Sequence, residues 1–462
     1  MRILFLHPNF PAQFRHVATV LGQDPNNQLV FGTKTVNQVE IAGVTKVMYQ
    51  VSREPNPSTH HYLRNLEGAV LQGQGVYRLC ESLRQQGFVP DLVCAHSGWG
   101  PSLYVKDVFP QARVLSYFEW YYNAFGSDAD FDPSEPLNAD DLPRIRTKNT
   151  PILMDLAHCD WGLCPTSWQR SQFPQVFHPK ITVMHDGVDT EFFKPKPGAK
   201  LVLPNLDLSH VDEIITYVAR GMEPYRGFPQ FIEALEYVQK RRPHCHAVIV
   251  GENRVCYGKA APQGTTYKDM MLEQVPLDLS RVHFTGGLPY GQYLQVIQAS
   301  SVHVYLTRPF VLSWSMIEAM STGCLVLGSD TAPVREAIAD GENGLLVDFF
   351  SPAKIADRID EVLDHPDRYA QIRANARNTV LERYAHAQLL PKQLQLMLDV
   401  ANRRLPPQVS TERDQAIPTF NPTVNLTSNL TSNLTGTLAQ VQPTKVTPKK
   451  AKKSKPKGFA EL

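Results

Sequence analysis

Several absences narrow what this chain of 462 residues can be. It has no run of about 18 apolar residues, so no segment reads as a membrane-spanning helix. It has no Cys-x-x-Cys pair. Its seven cysteines (Cys80, Cys94, Cys159, Cys164, Cys245, Cys256 and Cys324) are odd in number and irregularly spaced, which suits reduced thiols in a cytoplasm. The opening MRILFLHPNF is too short an apolar run for a signal peptide, so the expected location is cytoplasmic. No GxGxxG follows the first predicted strand, where the residues are His7-Pro8-Asn9-Phe10-Pro11-Ala12. That weighs against a dinucleotide oxidoreductase. A P-loop, GxxxxGK followed by Ser or Thr, is also missing. The formal net charge of +1 shows no excess of either sign, and no nucleic-acid partner is expected.

What is present is a soluble-type composition, 42% hydrophobic and 20% charged, on a chain too long for one ordinary core. Strand-length and helix-length apolar patterns alternate. Arg2–His7, 92–95, 114–117, 160–164 and 181–184 read as strands, with helices over 14–21, 70–86 and 151–157. A proline-rich link, Lys194-Pro195-Lys196-Pro197-Gly198, interrupts them. The alternation then restarts, with strands at 214–219, 247–251, 282–285 and 302–306, and helices at 228–241, 290–299, 352–363, 369–384 and 388–403. Such alternation predicts two doubly wound α/β domains whose ligands sit at the carboxyl ends of the strands. The expected division is 1–193, a hinge over 194–212, 213–384, a returning helix over 385–404 and a low-complexity tail over 405–462. That tail holds eight Lys or Arg against three acids, and its composition predicts disorder. Its three NLT triplets, at Asn425, Asn429 and Asn433, match glycosylation sequons only as weak motifs.

Most of the chemistry is concentrated in RPFVLSWSMIEAMSTGCLVLGSDTAPVREAIADGENGLLVD, residues 308–348. A loop opens the helix SWSMIEAMS, Gly323 ends it, the strand CLVLGS follows, and a second helix, VREAIAD, precedes the strand LLVDF. The free amides at a helix start favour an anion, so those of Val311, Leu312 and Ser313 are candidates to touch phosphate or sugar. Glu318 is a lone acid in a mostly apolar helix. It binds a partner such as a ribose, faces solvent, or pairs with Arg335. Arg220 and Arg226 share the strand-to-helix loop Ala219-Arg220-Gly221-Met222-Glu223-Pro224-Tyr225-Arg226-Gly227. Planar guanidinium donors suit a diphosphate and the charge that grows on a leaving group. His96 ends the strand LVCAH before a flexible glycine turn, as a substrate contact or a core histidine. His244-Cys245-His246 lacks further ligand spacing, and no metal is expected there. The aromatic run SYFEWYYNAF (116–125) reads mostly as core.

Together these residues resemble the retaining glycosyltransferases of family 4 (glycosyl transferases group 1), in a bacterial subgroup, over roughly residues 1–400 and most densely over 214–348. The family's Arg and later Lys-Gly are similar to Arg220 and Arg226-Gly227. Its NGVD appears as Asp186-Gly187-Val188-Asp189, and its VGxG as Ile249-Val250-Gly251-Glu252. Its paired glutamates fall on Phe310 and Glu318, and its ExIxDGxNGLLV on Glu336 and Ile338 through Val347. The resemblance implies a GT-B fold, with two Rossmann-like domains facing a cleft. The acceptor would lie on the first domain and the nucleotide-sugar donor on the second. It implies that Arg220, Arg226 and His96 serve catalysis. Glu318 would bind the ribose, and Val311, Leu312, Ser313, Phe310, Gly251, Arg254 and Tyr257 would belong to the donor site. No metal or cofactor is implied beyond the nucleotide sugar as co-substrate. The acceptor would be a saccharide or lipid-linked sugar in cell-surface polysaccharide or glycolipid synthesis. Phe310 departs from a sugar-contacting glutamate, and Asn9-Phe10-Pro11 from a glycine-rich loop. The alternatives are a non-catalytic nucleotide-sugar-binding scaffold, or an epimerase or phosphorylase on the same fold. The basic run Lys449–Lys457 suggests weak contact with an anionic inner membrane leaflet, or a solubilising tail.

Overall fold

The computed structural model describes residues 1–404. The tail, with its expected disorder, sequons and membrane contact, lies outside the described residues. The first domain is built on a seven-stranded sheet in the order β3-β2-β1-β4-β5-β6-β7, every pair parallel. The strands are β1 Arg2–Leu6, β2 Gln28–Thr33, β3 Val44–Met48, β4 Leu92–His96, β5 Arg113–Tyr117, β6 Trp161–Cys164 and β7 Ile181–Val183. Parallel strands covered on both faces are apolar almost throughout, as the wholly buried Leu92–His96 shows. β3 escapes a sequence reading because it is an edge strand whose residues are only half covered. One face of this sheet packs on the helices Arg64–Gln85 and Thr150–His158 through Val76, Leu79, Ile152 and Leu156. The other face takes Phe14 and Val17 together with Leu396, Met397 and Val400 of the final helix, His386–Ala401. The last helix of the described residues therefore returns to the first domain.

The segment expected to be hinge throughout 194–212 is partly structured. β8 Val202–Leu203 and β9 Leu206–Asp207 form a small hairpin. Leu201, Leu203, Leu208 and Val211 are buried with Ile214, Val248 and Val296 against the second sheet. That sheet has six parallel strands in the order β12-β11-β10-β13-β14-β15. They are β10 Ile214–Gly221, β11 His246–Glu252, β12 Val282–Gly286, β13 Val302–Tyr305, β14 Val326–Ser329 and β15 Leu345–Val347. The helices Phe228–Arg241 and Pro352–Asp364 cover one face, and Trp314–Ser321 and Ala370–Arg383 the other.

Strand order reverses twice, between β1 and β4 and between β10 and β13. At such a switch point the flanking loops diverge and leave a crevice beyond the strand ends. Two glycines let the backbone close up around the second crevice. Gly251 has φ +145° and sits so near Ala219 that a Cβ would stand 2.0 Å from its carbonyl oxygen. Gly227 has φ +64°, and a Cβ there would meet Leu306 at 2.5 Å. One expected helix is cut short. VREAIAD shrinks to a single turn, Ala332–Arg335, because the Asn343 side chain accepts from the Ala339 amide at 2.8 Å and donates to the Ala337 carbonyl at 3.0 Å. A side chain that satisfies backbone groups locally competes with the helix for them.

Candidate functional site

The two switch points face one cleft, and side chains cross it. Trp314 Nε1 donates to Asp186 Oδ2 at 2.8 Å, and the Tyr117 hydroxyl donates to the same carboxylate at 3.0 Å. Burial pushes the Asp186 carboxyl up to about 6 despite those two donors. Tyr225 donates its hydroxyl to Asp128 at 2.6 Å. Arg308, buried under a first-domain loop, reaches Asp132 at 2.8 Å and Glu135 at 3.3 Å. Glu336 accepts from the amides of Ser167 and Trp168, both at 2.8 Å. The domains are thus tied by groups lying 97 to 176 residues apart in sequence.

Arg220 is exposed at the end of β10 and makes no hydrogen bond to another described residue. It lies within electrostatic reach of His7 and Glu119 on the opposite wall. Arg226, the expected second diphosphate ligand, is held from within the protein. It is only 4% exposed, and its Nη1 donates to Thr307 Oγ1 at 2.8 Å, the Val311 carbonyl at 2.9 Å and the Tyr305 hydroxyl at 3.3 Å. A guanidinium bonded in this way through Nη1 braces the loop 307–313. Only Lys-like position and charge were visible in the sequence; the direction of the side chain was not.

The opening loop is also partly spoken for. The Ser313 amide donates to the Tyr305 hydroxyl at 2.7 Å, and Ser313 Oγ caps the helix by accepting from the Ser315 amide. Ser313 is therefore a cap, and its amide is not available to a ligand as expected. The Val311 and Leu312 amides have no partner among the described residues. Leu312 buries its side chain in the helix core.

Glu318 is 6% exposed, which excludes the solvent-facing reading. Arg335 pairs with Asp330 instead, through two nitrogens. Tyr293 donates to Glu318 Oε2 at 2.8 Å. Burial raises the Glu318 carboxyl to about 7, partly offset by the hydroxyls of Tyr293 and Tyr290. The guanidinium of Arg15, from the first domain, lies 5.9 Å from the Tyr290 ring.

Phe310 joins an aromatic cluster with Trp120 of the first domain at 4.8 Å, Tyr257 at 5.3 Å and Tyr225 at 5.5 Å. Arg254 is exposed on the loop after β11. Gly251 has the packing duty already described. His96 is buried at the end of β4, with Trp99 half exposed beside it. His244-Cys245-His246 precedes and enters β11. His246 Nδ1 lies 2.9 Å from His283 Nε2, and the described residues hold no cluster of three or more His, Cys, Asp or Glu placed for a metal.

Sequence reasoning missed three groups. Glu223 is fully buried and accepts from three consecutive amides, Cys256 at 2.9 Å, Tyr257 at 2.9 Å and Gly258 at 2.7 Å. Its signal was a carboxylate inside a strand-to-helix loop. Arg308 had the signal of a cation three residues after β13. Glu119 stood alone as an acid in an aromatic run. A cavity of about 760 Å³ lies away from all of these, lined by Asp330, Arg335, Asp340, Asp348, Lys354 and Arg358. Its charges pair with one another, and it lies at neither switch point.

Comparison with known proteins agrees with this architecture. Two family models match in succession: the Glycosyl transferase family 4 group over residues 25–193 and Glycosyl transferases group 1 over residues 204–379. The D-inositol 3-phosphate glycosyltransferase of Corynebacterium glutamicum is 25% identical over 189 residues, 40% of this chain and 44% of that protein. The GDP-mannose-dependent alpha-(1-6)-phosphatidylinositol monomannoside mannosyltransferase of Mycobacterium tuberculosis is 26% identical over 224 residues, 46% of this chain and 55% of that protein. The chain spans about half the length of the curated relatives it matches. Anabaena HepE, solved with UDP and glucose, superposes with a TM-score of 0.63 at 15% identity, covering 86% of this chain and 100% of that one. Sucrose-phosphate synthase from Thermosynechococcus elongatus superposes at 0.64 and 16% identity, covering 87% and 100%. The fold is GT-B, and the chain belongs to the family 4, group 1 glycosyltransferases.

Proposed function

We propose that this protein moves a sugar from a nucleotide-sugar donor to a hydroxyl of a saccharide or lipid-linked acceptor, with retention at the anomeric carbon. The observation that carries the reading is the arrangement at the second switch point. An arginine with no side-chain hydrogen bond among the described residues, Arg220, stands at the end of β10; two free amides, Val311 and Leu312, follow β13 beside it in the strand order; and a buried carboxylate, Glu318, stands on the helix they lead into. Cations and amides answer a diphosphate, and a carboxylate answers a pair of ribose hydroxyls. The solved neighbours with UDP or UDP-glucose bound support a nucleotide-sugar donor.

In this reading the acceptor oxygen bonds to the anomeric carbon on the face that the diphosphate leaves. The carbon–oxygen bond to the diphosphate breaks, and the hydroxyl proton passes to the departing phosphate oxygen. Arg220 and the two amides stabilise the charge gathering on the leaving group, a contribution that needs no metal ion. Arg226 keeps the loop in place from below. Cell-surface polysaccharide or glycolipid assembly is the setting we infer, on the strength of the mannosyltransferase relative.

The test is incubation of the full chain with nucleotide sugars and a panel of hydroxyl acceptors, with and without EDTA, reading nucleoside diphosphate release and product anomers by NMR. The reading expects release that depends on an acceptor, persists in EDTA and preserves the donor's anomeric configuration. Inverted product, or turnover without acceptor, contradicts it.

A further inference from the structure

The first-domain segment 123–140, which precedes the helix Asp141–Lys148, reaches the loops at the carboxyl ends of the second sheet. Asp128 accepts from Tyr225, on the loop after β10, at 2.6 Å. Glu135 lies 3.6 Å from Lys259, on the loop after β11. Phe131 packs against the second-domain core, its ring 5.2 Å from that of Phe349 and 4.9 Å from that of Phe350, just past β15. Asp132 and Glu135 meet Arg308 after β13.

Arg308 is the tightest of these ties. It is 3% exposed. Among the described residues its ion-pair partners are Asp132 at 2.8 Å and Glu135 at 3.3 Å, both from the opposite domain. A buried guanidinium deprived of its carboxylates is strongly unfavourable, so this side chain depends on the segment. Asp132 is itself fixed, because its other oxygen, Oδ1, accepts from the amide of Ser134 at 3.0 Å and its hydroxyl at 2.7 Å. The Arg308 backbone is equally committed. Its amide donates to the Tyr225 carbonyl at 3.0 Å, and its carbonyl accepts from Thr307 Oγ1 at 2.9 Å. Its guanidinium stands 5.1 Å from the centre of the Tyr225 ring. Arg308 thus joins the loop 219–227 to the loop 307–313.

The free amides of Val311 and Leu312 lie in that second loop. Amides on a loose loop bind an anion poorly, since ordering them costs conformational entropy at the moment of binding. Arg226 holds the loop at the Val311 carbonyl, within the second domain. Arg308 holds its beginning, with carboxylates lent by the first.

We infer that Asp132 and Glu135 are positioning residues for the donor: acting through Arg308, they keep the loop 307–313 ready for a diphosphate, so a first-domain segment sets the affinity of a second-domain site. This rests on the donor reading above and adds to it the residues that preorganise the loop.

The experiment titrates UDP, GDP and ADP into the full chain by calorimetry and carries the tightest-binding nucleotide into the variants. Asp132→Asn should weaken it about tenfold. Arg308→Met should weaken it by a similar factor, and adding Asp132→Asn to Arg308→Met should cost nothing more, because residues acting as one pair are not additive. Arg308→Lys, which keeps the charge, should retain more affinity than Arg308→Met. Hydrogen exchange at the Arg308 and Ser313 amides should quicken in Asp132→Asn while β11 keeps its rate. Urea unfolding alongside shows which variants are folded. If Asp132→Asn is not, Glu135→Gln, at the longer and more exposed contact, takes its place with an expected loss of about threefold. Unchanged affinity in the folded single variants, or additive losses in the double variant, would overturn the inference while the donor reading stands. If no nucleotide binds the wild type, the donor reading fails and the inference with it.

Discussion

Tyr293 donates its hydroxyl to Glu318 across 2.8 Å, within a helix face that is otherwise apolar. Neutral hydroxyls, those of Tyr293 and Tyr290, are poor compensation for a buried carboxylate, and burial raises its pKa to about 7. The proposed ribose would add two donors and favour the anion. Donor affinity should therefore fall as pH drops from about 8 to 6, as Glu318 takes up a proton, and Glu318→Gln should flatten that dependence while binding more weakly at pH 8. Isothermal titration with the preferred nucleotide across this range checks it; an unchanged slope in the variant contradicts the assignment.

The same residue makes a prediction about stability. A carboxyl raised in the folded state favours folding fully below its unfolded value of 4.5, and the benefit is lost as pH rises through about 7. Without ligand, Glu318→Gln should thus gain on the wild type between pH 4.5 and 7, by at most about 3 kcal/mol. Urea denaturation at pH 5 and pH 8 measures the gap, which should be wider at pH 8.

Arg220 stands at the end of β10 with no side-chain hydrogen bond to another described residue, and the proposed transfer assigns it to the leaving group. Arg220→Ala should lower kcat by about 10²- to 10³-fold with little change in the denaturation midpoint, because no hydrogen bond within the protein is lost. Steady-state kinetics beside urea unfolding separates the two effects.

Arg226 should show the opposite balance. Its three Nη1 bonds hold Tyr305, Thr307 and Val311 together. Arg226→Met should destabilise the fold by about 2 to 4 kcal/mol and raise the donor KM through a loosened loop. A variant that unfolds like wild type would mean the brace is not needed.

Glu223 gathers the amides of Cys256, Tyr257 and Gly258. Removing an acceptor shared by three buried donors frees the loop that carries Arg254 and Tyr257. Glu223→Ala should speed hydrogen exchange at these three amides by more than about tenfold while core amides on β10 and β11 exchange as before.

The parts of this structure legible in sequence were those encoded locally. Ser313 and Gly323 bracket the helix Trp314–Ser321, and the apolar strands of both sheets announce a doubly wound fold. Glu318 was visible as an odd acid, although its burial was not. What escaped was set by tertiary contact. No local pattern tells that Arg226 turns inward to Val311, that Tyr305 claims the Ser313 amide, or that Asn343 ends a helix early. Asp186 and Trp314 meet only because two domains close on each other. Glu119 was hidden by its aromatic neighbours, which made the run look like core.

The central claim is that the crevice beside Arg220 and Glu318 holds the diphosphate and ribose of a nucleotide sugar. Thermal unfolding of the full chain with UDP, GDP and ADP tests it most directly, since a ligand at 100 times its Kd stabilises the folded state by about 2.7 kcal/mol. The account predicts that at least one nucleotide raises Tm, and that Arg220→Ala and Glu318→Ala each remove most of the rise. A nucleotide-induced rise that survives in both variants, or no rise with any nucleotide, would contradict it.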